Sequence, residues 1–395
     1  MADLMDEDEV PQEKPEERTF PDMQLAQKAF LLDNASNDVS AIKSEVLNAI
    51  DEDSMGPYYE FLCAKHGWMV DEAKLSAMNE KNNTERISLT EKLKDAEENQ
   101  GEMEVLDVLF DIGKLYARIG AKKEAYEALD VIIAKPKVSP GKKIDATMHK
   151  LRVALFFMDV EAARTMMADA KKLVDNGGDW DRRNRLKAYE AVLLMVERDF
   201  KTAASLLLDG IATFTCTELC SYETFIYWGV VTNMLFLSRP ELKKKLVDGP
   251  EVLGVIGKLP PLAPMVHGLY ECEYAAFFAS IVPLNAGLLQ DRYIARHARY
   301  LVREFRILAY AQFLNAYKSV MISSMAQAFG ISVEFVDSEL SRFIAGGRLN
   351  AKIDKVGGKV ETNPPDERNS QYQGVIKKGD LLLTNIQKLA RVIDA

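Results

Sequence analysis

The chain is short of the groups on which most enzyme chemistry depends. Four histidines and four cysteines serve 395 residues. Cys63, Cys216, Cys220 and Cys272 are too sparse for the disulfide framework of a small secreted scaffold, so reduced thiols are expected. Long hydrophobic runs are also missing: nothing approaches the roughly 18 uncharged apolar residues of a membrane-spanning helix. The first residues are acidic, where a secretory or organellar leader is basic. A soluble chain of the cytoplasm and nucleus is expected, with no membrane contact. The phosphate-cradling loop has no counterpart, because Gly113-Lys114, Gly141-Lys142, Gly257-Lys258 and Gly358-Lys359 lack the following Ser or Thr and the upstream glycine. His-Glu-x-x-His, His-x-His and Gly-x-Ser-x-Gly are absent too.

Cys63 with His66 and Cys216 with Cys220 each lie about one helical turn apart, a spacing that suits half of a Cys3His zinc site. Both pairs sit in apolar helical surroundings, where cysteine usually serves as a small hydrophobe. His149, His267 and His297 have no nucleophile beside them. Neither metal nor cofactor is expected, and no enzyme activity.

What is present is ordinary for a globular chain of two or three domains: 48% hydrophobic and 28% charged residues. The net charge of −10 is unevenly spread, since eight acids against Lys14 and Arg18 put −6 into the first 18 residues. Residues 1–20 are expected to be a solvated acidic extension. The acidic balance argues against non-specific nucleic-acid binding, whose affinity comes from Lys and Arg on phosphates.

Helical periodicity dominates the rest. Met23–Leu32, Val39–Ile50, Tyr58–Cys63 and the charged Glu72–Glu98 are predicted helices of an N-terminal segment, residues 21–100. Leu109, Ile112, Gly113, Tyr116, Gly120, Ala125, Leu129 and Pro136 then stand at the offsets of a tetratricopeptide-type helix pair. A second copy follows seventy-eight residues later, with Ala191 for Gly113, Leu194 for Tyr116, Ala203 for Ala125 and Leu207 for Leu129. Ala154, Phe157, Ala163 and Met167 mark a unit between them. Residues 101–264 are therefore read as stacked helical hairpins, with a proline-rich loop or break over Leu242–Met265.

From Tyr317 the pattern changes. Val320, Met321, Met325, Ala328 and Phe329 share one face of a predicted helix that stops at Gly330. Ser332 then caps a helix over Val333–Ala345 with a stripe of Val333, Val336, Leu340, Phe343 and Ile344, ending at Gly346-Gly347. Leu349, Ala351 and Ile353 alternate with polar residues before a reversal at Gly357-Gly358. Helix, turn, helix and hairpin is the order of a winged helix, here about 317–361 within a domain at 265–363. A two-stranded wing leaves a strand edge open to a neighbour. Asn350, Lys352, Lys355 and Lys359 are candidates for partner contact there, or simply a solvated face.

Two stripes flank this module. Arg292, Arg296, Arg299, Arg303 and Arg306 recur at spacings of four, three, four and three, which lines five guanidiniums along one predicted helix face opposite Ala298, Leu301 and Phe305. Such a ridge serves either as a binding face for an acidic helix or for phosphates, or as a solvated face bridged to nearby acids. After Gln371 a last helix, within residues 371–395, carries Val375, Ile376, Leu382, Ile386, Leu389 and Ile393. It either folds back or joins helices of other chains. Winged helices often read DNA with their second helix, but here that helix bears Glu334, Asp337 and Glu339 against Arg342, which would repel phosphates.

Helical repeats running into a winged helix are the architecture of the PCI domain. The segments DIGKLYARIGAKKEAYEALD and RRNRLKAYEAVLLMVERDFKTAASLLLD, and the continuous stretch from Arg299 to Thr362, closely resemble PCI lid subunits of the 26S proteasome of the non-ATPase regulatory subunit six type. The resemblance covers most of the chain. It implies an all-α-dominated solenoid of tetratricopeptide-like repeats, a winged-helix PCI module and a C-terminal helix. It also implies a scaffold in a hetero-oligomer with other PCI lid subunits and the ATPase base, whose C-terminal helices gather into one bundle. The alternatives are a signalosome PCI subunit, or a PCI-type nucleic-acid-associated factor of messenger-RNA export or translation initiation.

Overall fold

The computed structural model describes residues 18–34, 39–136, 138–362 and 367–393. Most of the acidic N-terminal stretch lies outside the described residues. Two compact units emerge, one holding the chain through Phe236 together with Gly287–Arg296, the other Leu237–Ala286 and the chain from His297 onward.

The first unit begins with α1 (Met23–Asn34), α2 (Val39–Glu52), α3 (Gly56–His66) and the long α4 (Glu72–Asn99). Asp71 caps α4, its carboxylate accepting from the amides of Ala73 and Lys74 at 3.2 and 3.3 Å. As its charged sequence implies, α4 buries little beyond Met78, Asn82 and Ala96. Three hairpins follow: α5 (Glu102–Ile119) with α6 (Lys122–Ala134), α7 (Pro140–Phe156) with α8 (Val160–Asp175), and α9 (Trp180–Glu197) with α10 (Phe200–Gly210). The sequence repeat is the packing repeat. Gly113 faces Leu129 so closely that an added β-carbon would sit 2.9 Å from a leucine methyl. Ala125, Leu129, Ala154, Ala163, Ala191, Ala203 and Leu207 have no solvent exposure at all.

Each hairpin turns through a left-handed residue at the equivalent place: Gly120, Met158 and Arg198, with φ of 80°, 55° and 71°. Glycine takes that conformation freely and the other two do not. Asp159 and Asp199 then cap α8 and α10, accepting from the amides of Ala162 at 3.1 Å and Thr202 at 3.2 Å. Ala121 leaves α6 without a side-chain cap. Ion pairs join successive hairpins about one repeat apart, as in Lys142 with Asp107 (2.6 Å), Lys122 with Asp159 (2.5 Å), Arg182 with Asp145 (2.6 Å) and Arg185 with Glu218 (2.5 Å). α11 (Tyr222–Asn233) stacks on α10.

The second unit opens with α12 (Arg239–Leu242), a π-turn at Lys243–Val247, α13 (Pro250–Ile256) and α14 (Leu262–Glu271). The stretch Leu242–Met265, expected as a loop or a break in the stacking, is thus short helices at the start of the second unit. The reason is positional: Pro240 and Pro250 occupy first-turn positions, where a missing N–H costs nothing. α15 (Tyr274–Gln290) and α16 (Ala298–Asn315) follow. The winged helix comprises β1 (Ser319–Met321), α17 (Ile322–Phe329), α18 (Val333–Ala345), β2 (Ala351–Asp354) and β3 (Lys359–Thr362). Its core is a ring cluster. Phe329 at the end of α17 lies 4.9 to 5.4 Å, centroid to centroid, from Tyr274, Phe278, Tyr310 and Phe313. The chain closes with α19 (Glu367–Ile393).

Candidate functional site: the wing and the terminal helix

The wing is three strands in the order β1-β3-β2, all antiparallel. This corrects the two-stranded expectation and the placing of Val320 and Met321 on a helix. Val320 pairs with Val360, so the central strand β3 has a partner on each side, and α17 begins only at Ile322, whose amide donates to Gly358 O at 3.0 Å. A β-branched residue flanked by Ser319 and Met321 suits a strand as well as a first helical turn, and the cross-strand partner decides. The open edges are those of β1 and β2. The reversal is held by Asp354, which accepts from the amides of Val356 and Gly357 at 3.0 and 3.1 Å. Gly358, at φ 60°, completes it.

Asn350, Lys352, Lys355 and Lys359 are all exposed on this sheet and its approach. Lys355 Nζ lies 3.5 Å from Asp337 on α18; such an exposed pair leaves both groups accessible.

Two carboxylates of this module are buried, and one of them, Glu339, was expected to add exposed negative charge to the second helix. Glu339 points inward from α18, accepting from Arg306 at 2.9 Å and from the Tyr310 hydroxyl at 3.4 Å. Burial pushes its carboxyl above the usual range, opposed by Arg306. Glu304 on α16 is likewise buried and holds Arg348 in a two-point pair, with Arg303 3.1 Å away. The exposed acid of α18 therefore comes from Glu334, with Asp337 half-buried.

The arginine ridge does not exist as one face. α16 starts at Ala298, and Arg292 and Arg296 precede it in a turn and a short 3-10 segment. Asp291 takes the amides of Tyr293 and Ile294 at 2.8 and 3.3 Å, which breaks the helix there. Arg292 is buried in the first unit and donates to the carbonyls of Leu155 and Phe156 at 3.1 and 2.9 Å. Arg306 is spent on Glu339. Only Arg296, Arg299 and Arg303 of the five stay exposed.

The terminal helix leaves an apolar stripe uncovered. Tyr372, Val375, Ile376, Leu382, Leu383, Ile386 and Leu389 are between 52% and 68% exposed. Apart from half-buried Gly374, every residue from Gln371 to Arg391 is exposed. The side chain of Ile393 lies outside the described residues. Leu383 and Tyr372 belong to the same stripe and were missed, although their spacing of three and four to Ile386, Val375 and Ile376 carried the signal. Among the described residues no group of three or more His, Cys, Asp or Glu side chains is placed to hold a metal ion. Among the described residues no helix is long and apolar enough to cross a membrane.

Helical hairpins, a winged helix on a helical base and a free terminal helix define a subunit of the PCI class, and the PCI domain model matches residues 283–364. The match is narrower at both sides of it. Residues 71–245 fit the model of 26S proteasome subunit RPN7, and 371–393 fit that of the 26S proteasome regulatory subunit RPN7/PSMD6 C-terminal helix. The chain is 46% identical over 377 residues to a 26S proteasome non-ATPase regulatory subunit 6 homolog of Arabidopsis thaliana, covering 95% of this chain and 97% of that one. To 26S proteasome regulatory subunit RPN7 of Saccharomyces cerevisiae it is 36% identical over 413 residues, covering 98% and 96%. COP9 signalosome complex subunit 1 of Arabidopsis thaliana matches at 25% over 198 residues, half of this chain and 45% of that one. This chain belongs to the RPN7 family of 26S proteasome regulatory subunits, also named non-ATPase regulatory subunit 6.

Proposed function

We propose that the chain is a non-catalytic scaffold of the proteasome regulatory-particle lid, working in cytoplasm and nucleus, bound to other PCI lid subunits and to the ATPase base. The exposed stripe of α19 carries this reading. A single chain in water does not leave seven large apolar residues of one helix uncovered without a partner to take them, since patches of that size mark interaction sites. The open edges of β1 and β2, with Asn350, Lys352, Lys355 and Lys359 beside them, supply a second contact by strand addition. The half-length match to a signalosome subunit makes that alternative the weaker one. The nucleic-acid alternative meets Glu334 and Asp337 on α18, where phosphates would have to approach.

The test is replacement of the cell's own copy by a tagged chain. Recovery with PCI lid subunits and ATPase subunits supports the proposal; recovery with cullins and signalosome subunits, or with ribonucleoproteins, refutes it. Truncation from Leu381 is expected to abolish incorporation and leave the monomer folded.

A further inference from the structure

In a stacked array each hairpin touches its neighbours and little else, so the repeat itself does not tie its first helix to its middle or its last. A short stretch from outside the array does so here. Gln290 closes α15 and Asp291, Arg292 and Tyr293 follow it; in the chain they come well after α11, yet they belong to the first unit.

The stretch grips the array at three places. On α1, the side-chain amide of Gln27 donates to Gln290 O, and its oxygen accepts from the Arg292 amide at 3.2 Å. At the end of α7, the Arg292 guanidinium holds the Leu155 and Phe156 carbonyls, in the last turn, where a helix leaves carbonyls short of partners and favours a positive charge. On α11, the indole N–H of Trp228 donates to the Asp291 carboxylate at 2.5 Å, and the Tyr293 ring meets the Trp228 ring edge to face at 5.5 Å. Residues 27, 155, 156 and 228 are thereby joined through one turn.

α1 stands at the end of the array, packed on α2, and α2 on α3. Leu25, Ala26, Ala29 and Leu32 of α1 and Val46 and Ile50 of α2 are buried, although a terminal pair has a repeat on one side only. The seat that adds to this hold is itself costly. Arg292 is buried, and its Nε and Nη1 have no hydrogen-bond partner among the described residues. A charged group taken out of water with its hydrogen bonds incomplete costs free energy, which an apolar side chain there would not.

We propose that residues 290–293 are a clasp that holds the α1–α2 hairpin to the array and is the point at which that hairpin detaches as one piece. The clasp is entered from α15 and runs through a short 3-10 turn into α16, so a displacement of either helix draws on it and, through Gln27, on α1. The inference is independent of the assembly partners proposed above.

Amide hydrogen exchange of the full-length chain, read by mass spectrometry in rising urea, tests it. In the parent, α1, α2 and the clasp should open together with one urea dependence while α5 to α10 still hold. Arg292→Ala should speed exchange in α1 and α2 at least about tenfold and Gln27→Ala about threefold, with α5 and α6 within about twofold of the parent. Lys28→Ala, which removes an exposed ion pair between α1 and α2, should leave both helices within about twofold of the parent rate. Faster exchange in Arg292→Ala confined to the clasp, or spread equally over every helix of the first unit, overturns the proposal. Should Arg292→Ala fail to fold, the parent decides: separate urea dependences for the α1–α2 hairpin and the clasp overturn it, and a shared one upholds it.

Discussion

Helices α10 and α19 carry apolar stripes of comparable regularity, yet Phe200, Ala203, Ala204 and Leu207 of α10 are buried and the stripe of α19 faces water. Their surroundings in the chain differ. α10 lies between α9 and α11, each offering a complementary groove built from small residues such as Ala191 and Gly229. α19 follows a winged helix whose core Phe329 and its ring partners already fill. The comparison teaches that an amphipathic pattern specifies a helix with one apolar face and leaves open which chain covers that face.

Truncating one leucine in each region is the sharpest way to break this comparison. Leu129→Ala in the repeat core should destabilise the free chain by about 2–5 kcal/mol, seen as a lower midpoint in urea. Leu382→Ala on α19 should leave the midpoint within about 0.5 kcal/mol of the parent and lower incorporation instead. Equal destabilisation by the two would mean that α19 packs at home.

Next in size is the helix cap repeated along the array. Asp199→Ala removes acceptors for the amide and hydroxyl of Thr202 and should cost about 1 kcal/mol. The Thr202 hydroxyl first, and its amide second, hold the Asp199 carboxyl below its ordinary 3.8. A lowered native value means that the contribution is complete above the ordinary value of 3.8 and is lost progressively from there as pH falls through the lower native value. Urea melts from pH 6 downward should show the parent beginning to lose this increment below about pH 4, while Asp199→Ala has none to lose.

The smallest expected effect is at the ion pairs between hairpins. Lys122→Ala severs the pair with Asp159 and should change stability by no more than about 1 kcal/mol, less in high salt. A larger loss would make the charge ladder, rather than the small-residue packing, the glue between repeats.

Much of this was legible beforehand. Gly113, Ala125 and Leu129 recur as Ala191, Ala203 and Leu207, so the repeat showed in residue size alone, and Ser332 marked the start of α18, where its hydroxyl accepts from Phe335 N at 3.3 Å. The wing reversal at Gly357-Gly358 was equally plain. What misled was spacing without context. Five arginines at helical intervals straddle a break made by the side chain of Asp291, and prolines that usually punctuate loops sit in the first turns of α12 and α13. Val320 and Met321 suited a helix until Val360 and Lys359 paired with them across the sheet. That the wing lysines and the α19 stripe lie at the surface was legible because position on a face follows from alternation and period.

Local rules, acting within a turn or two, were enough to determine from residues alone that the chain is a row of helical hairpins ending in a winged helix and one more amphipathic helix. Tertiary structure decided which charges are spent inside, as with Glu339 on Arg306 and Glu304 on Arg348, and which strand completes the wing. Those pairings join residues 33 or more positions apart. No periodicity of a single element encodes them, because burial and partner choice depend on where the rest of the chain comes to lie.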